Sequence, residues 1–428
     1  MLDEAMGRCA DYIEENLQTD VNAEELAALS GFSVYHFYRL FQQSFGMPVM
    51  RYILRRRLSH AIYEMKMGGP GIDAALRYGF DTYAGFYRAF QREFGCTPSQ
   101  YLKEGRARMP VRPDPGKETP MCLNRKKRME ILKNWGLEDR DTAQFYHANG
   151  QLAENVFAVG EDMILKCTAD RGRAARNMAL SRLLVREGLL AAVPVPALDG
   201  RDSVEAAGLT CTVARRLPGQ PLAAAAFYAD PALAPRLGEA IGRMHRALKA
   251  AQAAVDDADM LEAVKSWALE GTKKALGPDG ALCEKYLPAF AALYPTLPRQ
   301  IIHRDANPGI VIAGEDGWGF VDFDLSERNA RIFDPCYAAT AILSESFEEG
   351  NAEKLDRWIG IFRGILAGYD GVVHLTENER RAAPLMILAN QMICVAWFRE
   401  QGRYPEILDT NIAMTRWIMA NMEKISLA

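Results

Sequence analysis

Gly31-Phe32-Ser33, running into Phe37-Tyr38-Arg39-Leu40-Phe41-Gln42, is followed later in the chain by Gly79-Phe80-Asp81, running into Phe86-Tyr87-Arg88-Ala89-Phe90-Gln91. In each copy a glycine stops one helix, a tight turn follows, and a new helix opens with its aromatics on one face. This is the order a helix-turn-helix unit requires, and two such units in tandem can read two adjacent major grooves. In the first copy Phe37, Leu40, Phe41 and Phe45 recur at the spacing of a buried helical stripe; in the second, Phe86, Ala89, Phe90 and Phe94 do the same.

Working outward, a helix from about Asp3 to Leu17 precedes Asn22, which suits an N-cap with Glu25 three residues on. Leu54, Leu58, Ala61, Ile62 and Met65 predict one long helix between the two units, ended by Gly68-Gly69-Pro70. Charge is placed unevenly. Residues 1–30 carry one basic residue against eight acids, whereas 31–103 carry ten Lys/Arg against four acids. The basic stretch is the one that would neutralise phosphates, although Arg51, Arg55, Arg56 and Arg57 alone are equally consistent with a solvated surface.

Gly79-Phe80-Asp81, Phe86-Tyr87-Arg88, Phe90 and the closing Phe94-Gly95-Cys96-Thr97-Pro98-Ser99-Gln100-Tyr101 resemble the AraC/XylS-type DNA-binding signature over roughly residues 5–105. The resemblance implies an all-α domain over 1–106 that binds double-stranded DNA. Its candidate contacts are Val34, Tyr35, Tyr38 and Arg39 in the first recognition helix, and Thr82, Tyr83, Ala84, Tyr87 and Arg88 in the second. Arginine's fork suits guanine or phosphate, and tyrosine packs on thymine methyls. Residues 107–128 read as a linker: Pro110, Pro113, Pro115 and Pro120 forbid regular structure, and Arg125-Lys126-Lys127-Arg128 closes it as a basic knot.

From 129 to 428 short strands give way to helices. Met163-Ile164-Leu165-Lys166 is an apolar strand ending in lysine, and Asn149-Gly150 marks a turn before it. Ile301-Ile302-His303-Arg304-Asp305 is followed, 17 residues after its aspartate, by Asp322-Phe323-Asp324 at the end of a second apolar strand. Kinase folds supply a catalytic base and a magnesium ligand in this order.

With Lys166, Leu217-Pro218-Gly219 and Asp334-Pro335, this set resembles the aminoglycoside phosphotransferase and choline kinase-like family over roughly residues 140–420. That implies a two-lobed α+β, protein-kinase-like domain binding ATP or another nucleotide with Mg²⁺. Asp305 would be the catalytic base, Asp322 and Asp324 the metal candidates, and Lys166, Gly150 and Asn155 the nucleotide contacts. His303 would brace the loop. Glu345, Asn390, Gln391 and Trp397 are unranked substrate-pocket candidates.

Two positions depart from the pattern. Five residues after Asp305, where the motif places a metal-binding Asn, stands Ile310, whose side chain has no donor atom; where a glutamate would pair with Lys166 stands Asn177. Phosphate transfer is therefore expected to be weak or absent.

The principal expectation is a transcriptional regulator whose kinase-like half senses a nucleotide or small ligand. The alternatives are an active ATP-dependent small-molecule phosphotransferase with an accessory DNA-binding domain, and an interaction scaffold. The eight cysteines lack any Cys-x-x-Cys pair, so no zinc site or disulfide framework is indicated. The acidic start and the absence of a long uninterrupted apolar run predict a cytoplasmic protein with no membrane partner. A homodimer is compatible with the sequence, which carries no feature requiring one.

Overall fold

The computed structural model describes the chain except residues 1, 46, 95–96, 104–106, 108, 111, 113–122, 124, 147–151, 207, 252, 402–404 and 427–428. Side chains are also undescribed at 2–4, 35, 42–43, 92, 126, 144, 146, 152–154, 401 and 405–406. The first helices are α1 (Leu2–Glu15), α2 (Ala23–Ser30), α3 (Val34–Phe45), α4 (Val49–Lys66), α5 (Gly71–Arg77), α6 (Tyr83–Phe94), α7 (Pro98–Lys103) and α8 (Arg125–Leu132). Then come β1 (Thr142–Tyr146), β2 (Leu152–Val159), β3 (Met163–Thr168), α9 (Arg171–Arg186), β4 (Leu190–Ala191), β5 (Val204–Ala206), β6 (Leu209–Arg215), β7 (Gln220–Pro221), α10 (Ala224–Ala229) and α11 (Leu233–Leu248). Next are β8 (Asp256–Asp257), α12 (Met260–Ala263), α13 (Leu269–Leu276), α14 (Leu282–Leu293), β9 (Arg299–Ile302), β10 (Val311–Gly314), β11 (Gly317–Phe320) and β12 (Glu327–Ala330). The chain closes with α15 (Phe333–Ser346), α16 (Ala352–Asp370), α17 (Glu377–Gln401), α18 (Pro405–Ala420) and α19 (Met422–Ile425). It divides into two compact units, Met1–Cys167 with Pro196–Ala207, and Thr168–Val195 with Gly208–Ala428.

In the first unit the duplicated phrase folds twice into the same packing. Gly31 and Gly79 adopt φ of +76° and +78°, the left-handed turn that glycine enters without a Cβ penalty. Asn22 caps α2 by accepting the Glu25 amide at 2.8 Å. Ser33 Oγ accepts the His36 amide at 3.4 Å at the start of α3, and Thr82 Oγ1 accepts the Gly85 amide at 3.0 Å at the start of α6. Beneath each recognition helix runs a ring ladder. Phe37–Phe41, Phe41–Phe45 and Phe45–Tyr52 centroids are 5.5, 4.4 and 5.0 Å apart. Phe86–Phe90, Phe90–Phe94 and Phe94–Tyr101 are 5.6, 4.5 and 5.3 Å apart. Two separate cores result, one around α1 to α4 and one around α4, α6 and α7.

Three arginines of α4 brace it to its neighbours. Arg56 is buried and forms a two-pronged pair with Glu14 of α1 at 2.5 and 2.7 Å, Arg51 pairs with Glu93 of α6 at 3.2 Å, and Arg57 donates to the Thr19 carbonyl. For Arg51, Arg56 and Arg57 the structure adds bracing to the surface readings of this run. The basic knot at 125–128 is likewise not irregular chain but the opening of α8. Arg128 lies 4.7 Å over the Phe157 ring and donates to Thr142 Oγ1 at 2.9 Å. Behind it β1, β2 and β3 form an antiparallel meander, with Val156 opposite Lys166.

The second unit is a helical body with two small sheets, ordered β4-β11-β10-β7 and β8-β12-β9. Its large core joins α11, α15, α16 and α17 to the strands that carry the catalytic-type loop. Helices α11 and α16 meet along a glycine seam: a Cβ on Gly238 would sit 1.8 Å from the Ile365 carbonyl oxygen, and one on Gly368 would sit 1.9 Å from that of Pro235. Helix α17 differs from the sequence expectation. Despite Pro384, Asn390 and Gln391, the stretch Glu377–Glu400 is apolar and long enough on average to cross a bilayer, yet 67% of its apolar window is buried inside the protein. It is a core helix whose hydrophobicity is used for packing. Cys9, Cys167, Cys211, Cys283 and Cys336 are buried and Cys394 is partly buried, whereas Cys96 and Cys122 lie outside the described residues.

Candidate functional site

Both recognition helices leave the face opposite the ring ladder open. On α3, Val34, Tyr38 and Arg39 are exposed; the Tyr35 side chain lies outside those described. On α6, Ala84 and Arg88 are exposed and Tyr87 is half-buried, with Arg88 Nε donating 3.3 Å to the Ala84 carbonyl one turn back. The other two candidates carry local duties. Thr82 spends its hydroxyl as the cap of α6, and Tyr83 packs against Phe86 at 5.7 Å. Tyr83 was expected on the open face; its ring instead joins the edge of the second core.

In the second unit β9 delivers His303-Arg304-Asp305, and its geometry is set from below by Asp334 near the start of α15. Asp334 is fully buried. Its Oδ2 accepts the His303 amide and His245 Nε2, each at 2.8 Å, and its Oδ1 accepts the Arg304 amide at 2.9 Å. Burial pushes this carboxyl up, but the hydrogen bond and charge of His245, joined by His303, outweigh it and hold Asp334 below the usual carboxylate range. His245 is fixed in turn by the Tyr369 hydroxyl at 2.9 Å. These bonds keep Arg304 at φ +76°, a conformation a non-glycine residue adopts only when its surroundings impose it.

His303 is buried, donates from Nε2 to the Val321 carbonyl at 3.0 Å and packs on Phe323 at 4.6 Å, the bracing role expected of it. Asp305 Oδ1 accepts the Tyr337 hydroxyl at 2.8 Å and Asn307 Nδ2 at 2.9 Å, while Asn307 Oδ1 accepts the Gly309 amide. Asn307 therefore touches the aspartate directly. Burial and the neighbouring Asp305 charge push the Tyr337 phenol well up, so it is a permanent donor to that carboxylate. Ile310 is buried in the core, and Asp322 stands in the left-handed region at φ 66°, ψ 63°.

Residues 146–371, more than half of the chain, match the phosphotransferase enzyme family, and residues 26–104 match a helix-turn-helix domain. The chain belongs to the phosphotransferase enzyme family, with an AraC-type helix-turn-helix domain in front. Its front is 36% identical over 91 residues to the HTH-type transcriptional activator AarP of Providencia stuartii, covering 21% of this chain and 67% of that protein. An HTH-type transcriptional regulator of Bacillus subtilis, YbfP, and the right origin-binding protein of Escherichia coli match over 100 and 93 residues, and the chain spans only 34% and 32% of their length. A microcompartment-associated aminopropanol kinase superposes at TM-score 0.53 with 15% identity, over 69% of this chain and 96% of its own. The GDP complex of aminoglycoside 2'-phosphotransferase-IIIa superposes at 0.50 with 14% identity, over 70% and 99%. At these identities the structures share the fold.

Against the pattern of that family, the chain keeps the framework and alters the metal shell. Asp322 and Asp324 offer oxygen, Ile310 offers none, and among the described residues no cluster of three or more His, Cys, Asp or Glu could enclose a cation. Asp322 and Asp324 are the carboxylates that would hold a Mg²⁺ here. Lys166 is on β3 and Asn155 on β2 at φ +55°, whereas Gly150 lies outside the described residues.

Of the pocket candidates, Asn390 and Gln391 are buried in the core and bonded to Thr340 and Asn411. Burial raises Glu345, and Trp397 is exposed. Sequence reasoning gave no role to Tyr337 or His245. The signal for Tyr337 was its place one turn into the helix opened by Asp334-Pro335; His245 sits on an amphipathic helix with no motif around it.

Proposed function

We propose that this protein is a sequence-specific DNA-binding transcriptional regulator whose kinase-like half binds a nucleotide or small ligand with little or no phosphate transfer. The observation that carries the reading is the pair of ladder-backed recognition helices, each leaving a Tyr-Arg pair, Tyr38-Arg39 and Tyr87-Arg88, on the side away from its core. Arginines so placed reach base edges and phosphates in the major groove. The ligand reading is supported by an intact loop framework around Asp305 beside a metal shell that lacks its second protein ligand. The GDP-bound phosphotransferase relative makes a nucleotide the first ligand to try, with Lys166 and Asn155 as its contacts and Asp322 holding Mg²⁺, which when bound would neutralise phosphate charge.

Titrating the full chain with duplexes selected from a random pool tests the first half. Arg39→Ala is expected to weaken selected duplexes about tenfold and relax base preference, whereas Arg88→Ala weakens all duplexes evenly and lowers the salt slope by about one. Unchanged affinity in both variants at low salt would remove DNA reading. For the second half, Ile310→Asn is expected to raise ATP consumption in the presence of hydroxylated metabolites; a wild-type chain that already turns over as fast as the variant would be a working kinase.

A further inference from the structure

Helix α9 presents two consecutive side chains to the segment that carries the metal-ligand candidates. Asn177 Oδ1 accepts the Phe323 amide at 2.9 Å. Arg176 Nη1 donates to the Asp324 carbonyl at 3.0 Å, its Nη2 to Asp256 Oδ2 at 3.1 Å and its Nε to the Ala254 carbonyl at 3.4 Å. The residue between the two aspartates is thus held twice, its amide by Asn177 and its ring by His303. Asp322, one residue upstream, occupies a left-handed conformation that a non-glycine residue keeps only while its neighbours are fixed.

We infer that Asn177, supported by Arg176, is a positioning residue that aims the Asp322 carboxylate at a bound cation, in place of the glutamate that would otherwise serve the strand lysine. Asparagine suits the task because its carboxamide accepts the Phe323 amide without placing a third carboxylate beside Asp322 and Asp324, where like charges would repel. The substitution at Ile310 makes the positioning matter more, since Asp322 is left as the principal protein oxygen for the metal. Metal-assisted nucleotide binding therefore runs through a hydrogen bond to the main chain, at a residue that touches neither metal nor nucleotide. The inference rests on the nucleotide reading above.

The test is calorimetric titration of the full chain with ATP, once with Mg²⁺ and once with EDTA. In the wild type, Mg²⁺ tightens binding. Asn177→Ala is expected to lose about five- to tenfold of that tightening, the range of one hydrogen bond to a fixed amide, while metal-free affinity stays within about twofold. Alanine favours the helix, so the variant is expected to fold. Asn177→Gln, which keeps a neutral carboxamide acceptor, is expected to restore part of the Mg²⁺ effect. Asn177→Ala retaining the full Mg²⁺ effect would overturn the positioning role and leave the nucleotide reading standing. A wild-type chain that does not bind ATP under either condition would overturn both.

Discussion

The two helix-turn-helix units share a packing scheme and differ in what surrounds it. The four rings of the first ladder and the four of the second superpose in spacing to within about 0.3 Å at each step, and both close with an edge-on tyrosine, Tyr52 against Phe41 at 80° and Tyr101 against Phe90 at 85°. The opening residues of the recognition helices have diverged, Val34-Tyr35-His36 against Tyr83-Ala84-Gly85, while Tyr-Arg recurs at 38–39 and 87–88. Duplication has thus kept the part that aims each helix and varied the part that would discriminate between bases. The surroundings differ as well. The first has α1 tied to α4 through Glu14, Arg56 and His60; α4 and α6 are tied by Arg51–Glu93, whose arginine is more exposed than Arg56.

The largest expected effect tests the sameness. Phe41→Ala and Phe90→Ala each remove the central ring of a ladder, and each is expected to destabilise its unit by about 3–5 kcal/mol in denaturant unfolding. A cost near zero in one copy would show that its ladder is ornamental and break the equivalence. A smaller effect tests the difference. Burial pushes Glu14 up, but hydrogen bonds from His60 and Arg56 and the Arg56 charge outweigh it, so its carboxyl sits below its ordinary range. A lowered folded value means the stabilisation is present above the unfolded value of about 4.3 and is lost as pH falls through the folded one. Glu14→Gln is expected to cost about 1.5–3 kcal/mol at neutral pH and to flatten the acid limb of the stability profile. An unchanged acid limb would show that the brace contributes nothing.

What was legible in the sequence followed the range of the forces involved. Turns and stripes are local: a glycine at φ > 0 and rings four apart announce themselves, so both helix-turn-helix units were readable to within a few residues. Asp305 and Asp322 were legible because each ends an apolar strand at a fixed interval. The hydrogen bonds around them were not, since Tyr337 reaches Asp305 from 32 residues away along the chain, His245 reaches Asp334 from 89 and Asn177 reaches the Phe323 amide from 146. The basic run on α4 misled for the same reason: composition shows the charge, while the acid that neutralises Arg56 lies on another helix.

The glycine seam between α11 and α16 has a consequence at a distance. His245 rides on α11, grips Asp334, and through it the amides of His303 and Arg304. The thickness of that joint therefore bears on the height of the loop that carries Asp305. A single methyl at 238 or 368 would act as a shim, lifting one rod off the other and detuning a carboxylate it never touches.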